Sequence, residues 1–126
     1  MFRSVAELVE LANKNNCKIA EIMIRQEIEV TNLTREQIIQ KMDFNLTIME
    51  DAIEKGLAGV RSVSGLTGGD AVLLQKYIQS GKALSGNVLL DAVSKAVATN
   101  EVNAAMGLIC ATPTAGSAGV VPGTLF

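Results

Sequence analysis

TREQIIQKMDFNLTIMEDAIEKG, from Thr34 to Gly56, is the stretch on which the fold turns. Thr34-Arg35-Glu36-Gln37 is a capping box, a helix start in which the first and fourth side chains satisfy each other's backbone amides. Ile38, Met42, Leu46, Met49 and Ile53 then fall at steps of four and three, which marks one face of a helix. Gly56 stands where a helix C-terminus is expected. Upstream, Ser4-Val5-Ala6-Glu7 is a second capping box, with Glu7 placed to reach back to the Ser4 amide, and its helix should run to about Asn13. Lys18 to Thr31 spaces Ala20, Met23, Ile24 and Ile28 as a helix does, although its Ile and Val content leaves a strand open for part of it. Downstream, RSVSGLTGG (Arg61–Gly69) is a loop by composition. Asp70 then caps a short helix through Ala71, Leu74, Tyr77 and Ile78, which Gly81 stops. From Asn87 to about Ala111 the chain is helical again and apolar nearly all round, as a buried central helix would be. From Thr112 onward it is rich in Pro, Gly, Ala and Ser, which breaks the helix. The fold class is all-α, a helical domain with glycine-rich loops.

Composition supports this and narrows the function. The 126 residues make one domain, 1–126, long enough to bury roughly two-thirds of its unfolded surface. Residues are 48% hydrophobic but only 3% aromatic, a composition that suits helix packing better than a β-sandwich. There is no His, so the commonest general base and metal ligand is missing. The net charge of −2 comes without a basic stripe, which argues against nucleic-acid binding. No run of apolar residues is long and charge-free enough to span a membrane, and MFRSVAELVE carries acids inside its apolar run, unlike a signal peptide. Cys17 and Cys110 lie far apart in sequence and form no ligand-spaced pair. They read as small core residues in a reduced, cytoplasmic protein, with no metal ligand among them.

Three segments carry candidate chemistry. Thr99, Asn100 and Asn103 share one face inside the apolar segment Ala92 to Ile109. Buried amides need partners, so this strip either ties the helix to nearby loops or faces a ligand pocket. Glu101 projects elsewhere and reads as a solvated or paired surface acid. SGLTGGDA (Ser64–Ala71) sets two glycines before a helix N-terminus. Free amides at Gly68 and Gly69, with the Thr67 hydroxyl, would make a carboxylate site. The alternative is an ordinary loop with Asp70 as N-cap, and the absence of a following lysine disfavours a nucleoside triphosphate. ATPTAGSAG (Ala111–Gly119) offers many backbone and hydroxyl donors and little bulk, suited to a small carboxylate or a cofactor cavity; a plain connector would have the same composition.

In SGLTGGDA, in AVSKAVATNEVNAAMGLICATPTAGSAGVVPG and in the opening MFRSVAELVELA, the sequence resembles the α chain of bacterial iron–sulfur-dependent L-serine dehydratase, over all 126 residues. The resemblance implies an enzyme of amino-acid degradation and gluconeogenesis that converts L-serine to pyruvate and ammonia without pyridoxal phosphate. It implies a 4Fe-4S cluster whose open iron acts as a Lewis acid on the substrate hydroxyl. It also implies a β chain as partner, alongside the remainder of the α chain. The family's cluster-binding cysteines lie beyond the point matching VVPGTLF, and neither Cys17 nor Cys110 falls in such a motif, so no metal ligand carries over. On this reading the chain is a truncated N-terminal part of a larger helical catalytic domain. Carried over by motif, the substrate-binding residues are Thr67, Gly68, Gly69 and Asp70, then Asn100 and Asn103, then Thr112, Thr114, Gly116 and Ser117. The general base is not identified.

Two other readings stand beside this one. A non-catalytic helical interaction module would bind a partner through its open apolar surface. A complete small enzyme of another class lacks a nucleophile–base pair to support it. The apolar central helix would want cover on several sides, so the isolated chain is expected to self-associate as a homo-oligomer or to be marginally stable.

Overall fold

The computed structural model describes residues 2–126. The described residues are all helical or irregular, with no strand among them. The helices are α1 (Val5–Lys14), α2 (Ile19–Thr31), α3 (Arg35–Ala58), α4 (Asp70–Gln79), α5 (Asn87–Ala104) and α6 (Val120–Leu125), with a 3-10 turn at Ala115–Ser117. The chain divides into two compact units, Met1–Asp43 and Phe44–Phe126.

In the first unit α1 packs on α2, and Ala12, Ile22 and Ile38 are its buried side chains. Ser4 caps α1 through the Glu7 amide. Glu7, however, reaches past the Ser4 amide to accept the Arg3 N–H at 2.6 Å. The segment left open between helix and strand is helix α2. Its apolar face centres on Ile22, while Ala20 and Met23 are exposed. At the start of α3 the capping box forms as expected. Gln37 donates its amide to Thr34 Oγ1 at 3.3 Å, and its side-chain oxygen accepts the Thr34 N–H at 2.9 Å.

The second unit holds the glycine-rich segments. α4 packs on α5, and α5 on α6. The core is built from small residues: Ala52, Ala71, Ala98 and Ala118 are fully buried, joined by Met49, Ile53 and Val102. Small side chains let helix backbones approach closely. Gly56 does not end α3; it sits inside the helix, where a Cβ would overlap the Ala98 carbonyl of α5. The helix runs two residues further to Ala58, and Gly59, at φ +100°, takes the left-handed turn after it. Of the expected apolar face of α3, Ile38, Met49 and Ile53 are buried, joined by Ala52, while Met42 and Leu46 are exposed.

α5 ends at Ala104, not near Ala111. Met106 turns to φ +63°, and the Gly107 N–H bonds back to the Val102 carbonyl at 2.8 Å, closing the helix. Nor is α5 buried all round. Val88, Leu89 and Val93 are exposed, whereas Ser94, Ala98, Thr99, Glu101 and Val102 are buried. The segment after Thr112, expected to be loop throughout, returns to helix at α6. It does so by packing glycines on α5: Gly119 abuts the Ala96 carbonyl, and a Cβ on Gly123 would lie 2.6 Å from the Ala92 oxygen.

Candidate substrate-binding site

The first glycine-rich segment is a folded turn. The Ser62 N–H donates to the Thr67 carbonyl at 2.9 Å, and the Thr67 N–H donates to Ser62 Oγ at 3.1 Å. Thr67 itself is exposed. Gly68 adopts φ +124° and lies so close to Val60 that a Cβ would overlap the Val60 carbonyl. This glycine is required by both conformation and contact. Gly69, at φ +96°, is the N-cap of α4. Asp70, expected to cap this helix, is instead its first residue.

A glycine cap has no side chain to accept an amide, so the acceptor comes from elsewhere. Glu101 Oε1 on α5 takes the Asp70 N–H at 2.6 Å, thirty-one residues away in sequence. Glu101 is therefore not a surface acid; it is 7% exposed. Its second oxygen, Oε2, is buried and has no hydrogen-bond partner. A carboxylate at a helix N-terminus is favoured by the exposed amides and the helix dipole. The same bond pins the first glycine-rich segment to the last turns of α5, which carry Asn100 and Asn103. A sequence signal for this did exist: an acid inside an apolar helix, and a helix start with only glycine before it.

The polar strip divides in the structure. Thr99 is buried and turns its hydroxyl to the Lys95 carbonyl of its own helix at 3.1 Å. Asn103 is half-buried and Asn100 exposed.

The second segment forms a hydrogen-bonded cluster of its own. Thr114 and Ser117 make a reciprocal capping box around the 3-10 turn. Ser117 Oγ donates to the Thr112 carbonyl at 2.8 Å, and Thr112 Oγ1 to the Ser117 carbonyl at 3.2 Å. Gly116 is exposed and unconstrained, with Thr114 Oγ1 the nearest atom to a would-be Cβ at 3.9 Å. The cluster is held to α5 through α6, by the Gly119 and Gly123 contacts.

Residues 14–126 match the family described as serine dehydratase alpha chain. This chain belongs to that family. It is 68% identical over 126 residues to the probable L-serine dehydratase, alpha chain, of Bacillus subtilis (strain 168), which covers all of this chain and 42% of the relative. It is 33% identical to the L-serine dehydratase, alpha chain, of Peptoniphilus asaccharolyticus, over 99% of this chain and 43% of the relative. The L-serine dehydratase TdcG of Escherichia coli (strain K12) is 26% identical over 98% of this chain and 28% of the relative. The chain thus spans less than half the length of these curated relatives. No solved structure matches it significantly.

The serine dehydratase resemblance implies an iron–sulfur cluster, and the residues described here do not fit one. Among them no group of three Cys, Asp or Glu side chains is placed to hold a metal ion. Cys17 and Cys110 are both free thiols and half-buried. No helix among the described residues is long and apolar enough to cross a membrane.

Proposed function

We propose that this chain is part of the catalytic domain of an L-serine ammonia-lyase, which converts L-serine to pyruvate and ammonia in the cytoplasm and works with a β chain. The 68% identity to the Bacillus subtilis alpha chain, over the full length of this one, carries the reading. The chemistry removes the α-proton and the β-hydroxyl to leave an enamine, which rearranges to an imine and is hydrolysed. The iron–sulfur cluster of the family would take its ligands from outside these residues. The part played here is binding and orienting the substrate.

Thr67, Gly68, Gly69 and Asp70, with Asn100 and Asn103, would form one wall of the serine site. Thr112, Thr114, Gly116 and Ser117 would form another. The geometry supports this in two ways. The Asp70–Glu101 bond fixes the first wall to α5. In the second wall the reciprocal cap holds a turn of small side chains, leaving room for a ligand to approach backbone.

The test is an anaerobic assay of pyruvate formation from L-serine. The full-length α chain assembled with its β chain is expected to deaminate serine. The 126-residue chain alone is expected to form no pyruvate and to hold no stoichiometric iron after reconstitution. An assembled enzyme with full cluster and no activity on serine would overturn the proposal. That outcome would favour the second reading, a non-catalytic interaction module, to which the exposed Val63, Leu66, Leu84, Val88 and Met106 lend support.

A further inference from the structure

Glu101 carries a carboxylate oxygen that the described fold leaves unanswered. The residue is 7% exposed; Oε1 accepts the Asp70 N–H, while Oε2 is buried and unpartnered. A buried carboxylate oxygen without a donor is costly to the fold, and a donor arriving from outside would remove that cost. Three polar groups on the same helix are engaged elsewhere. The Thr99 hydroxyl goes to the Lys95 carbonyl, and the Ser94 hydroxyl to the Asp91 carbonyl. The Lys95 ammonium is held by Asp91 Oδ2 and the Phe126 carbonyl.

The charge of this place also differs from what the bare sequence implies. A glycine-led helix start attracts anions, but here the protein's own carboxylate occupies it. A second carboxylate beside it would meet like charge, and Asp70 adds another acid at the same turn. The group that suits Oε2 is a donor, and a cationic donor gains most. At Gly69, the cap itself, nothing lies within 4 Å of where a Cβ would stand.

We propose that Glu101 Oε2 receives the ammonium group of the amino-acid substrate. The assignment rests on the serine-deaminating reading above and adds to it the group that recognises the amine. It leaves the substrate carboxylate to the hydroxyl-rich turn at Thr112–Ser117. An ammonium held protonated beside the α-carbon also acidifies the α C–H bond that the elimination breaks.

The experiment uses the assembled α and β enzyme, with L-alanine and propionate as unreactive inhibitors of serine deamination. Both carry the carboxylate and neither has the leaving hydroxyl; only alanine has the ammonium. In the wild-type enzyme alanine is expected to inhibit at least about tenfold more tightly than propionate, as a charge-assisted bond to a buried carboxylate implies. Glu101→Gln keeps an oxygen for the Asp70 N–H and removes the charge. In that variant the preference should shrink to about twofold or less while propionate inhibition stays unchanged, a selective loss that a purely structural cap would not produce. Serine deamination by the wild type with no preference for alanine would overturn the assignment alone, whether or not the variant folds. A Glu101→Gln enzyme with its preference intact would do the same. An assembled wild type that does not deaminate serine would overturn the functional reading and this assignment with it.

Discussion

Replacing Glu101 by alanine strips the α4 N-terminus of its acceptor and leaves the Asp70 N–H unpaired in a part-buried place. The expected loss is about 1–3 kcal/mol of stability, read from the urea midpoint. A loss within about 0.5 kcal/mol would mean that the cap contributes nothing beyond an ordinary surface change. The two glycine-rich segments make opposite predictions for a single added methyl. Gly68 sits at φ +124° against the Val60 carbonyl, so Gly68→Ala should cost about 2 kcal/mol or more through strain and overlap. Gly116 is under no such constraint, and Gly116→Ala should leave stability within about 0.5 kcal/mol of wild type. A fall in kcat/KM in a stably folded Gly116→Ala enzyme would therefore report ligand approach at that turn. Unchanged kinetics would remove Gly116 from the site.

At the scale of elements, α4, α5 and α6 are joined by one polar chain through Asp91. Gln75 Nε2 on α4 donates to Ser94 Oγ at 2.7 Å and to Asp91 Oδ1 at 3.3 Å. Lys95 then links Asp91 to the Phe126 carbonyl at the end of α6. The Lys95 ammonium, aided by the Gln75 amide, holds the Asp91 carboxyl below its ordinary range against partial burial. A lowered folded-state value means that the charged carboxylate stabilises the fold above its unfolded value, near 3.8. That contribution is lost as pH falls through the lower folded value. Thermal unfolding followed from pH 7 into this range should show Asp91→Asn less stable than wild type at neutral pH. The two should converge in acid. The aspartate side chain is 43% exposed, so solvent screening keeps the gap small. Parallel pH profiles would show that the pair does not couple to folding.

For the molecule as a whole, the surface is the informative feature. Leu84 is 99% exposed, Val63 90%, Leu66 and Val88 88% each, and Met106 84%. Large apolar side chains at that exposure favour association in water. The isolated chain should therefore show a scattering mass that rises with concentration across a dilution series. Assembly with the proposed β chain should abolish that rise. A strictly monomeric chain at all concentrations would show that these side chains are too scattered to form a contact.

The all-α class and the helix starts at Ser4 and Thr34 were written in local sequence, because a side-chain N-cap is satisfied within four residues. The break at Gly81 was equally local, since a left-handed turn is the glycine's own property. What local pattern could not contain was contact between distant segments. Gly56 looks like a helix end until Ala98 is packed on it, and VVPGTL looks like loop until Gly119 and Gly123 meet α5. α5 was expected to run on to Ala111, but a backbone turn at Met106 and a bond from Gly107 to Val102 close it at Ala104. The candidate site follows the same division. Its small residues and hydroxyls stand out in composition, which is a local quantity. Glu101 does not, because its meaning depends on a helix start thirty-one residues earlier in the chain. Only the packing of α4 on α5 brings that amide to the carboxylate and buries the oxygen left over.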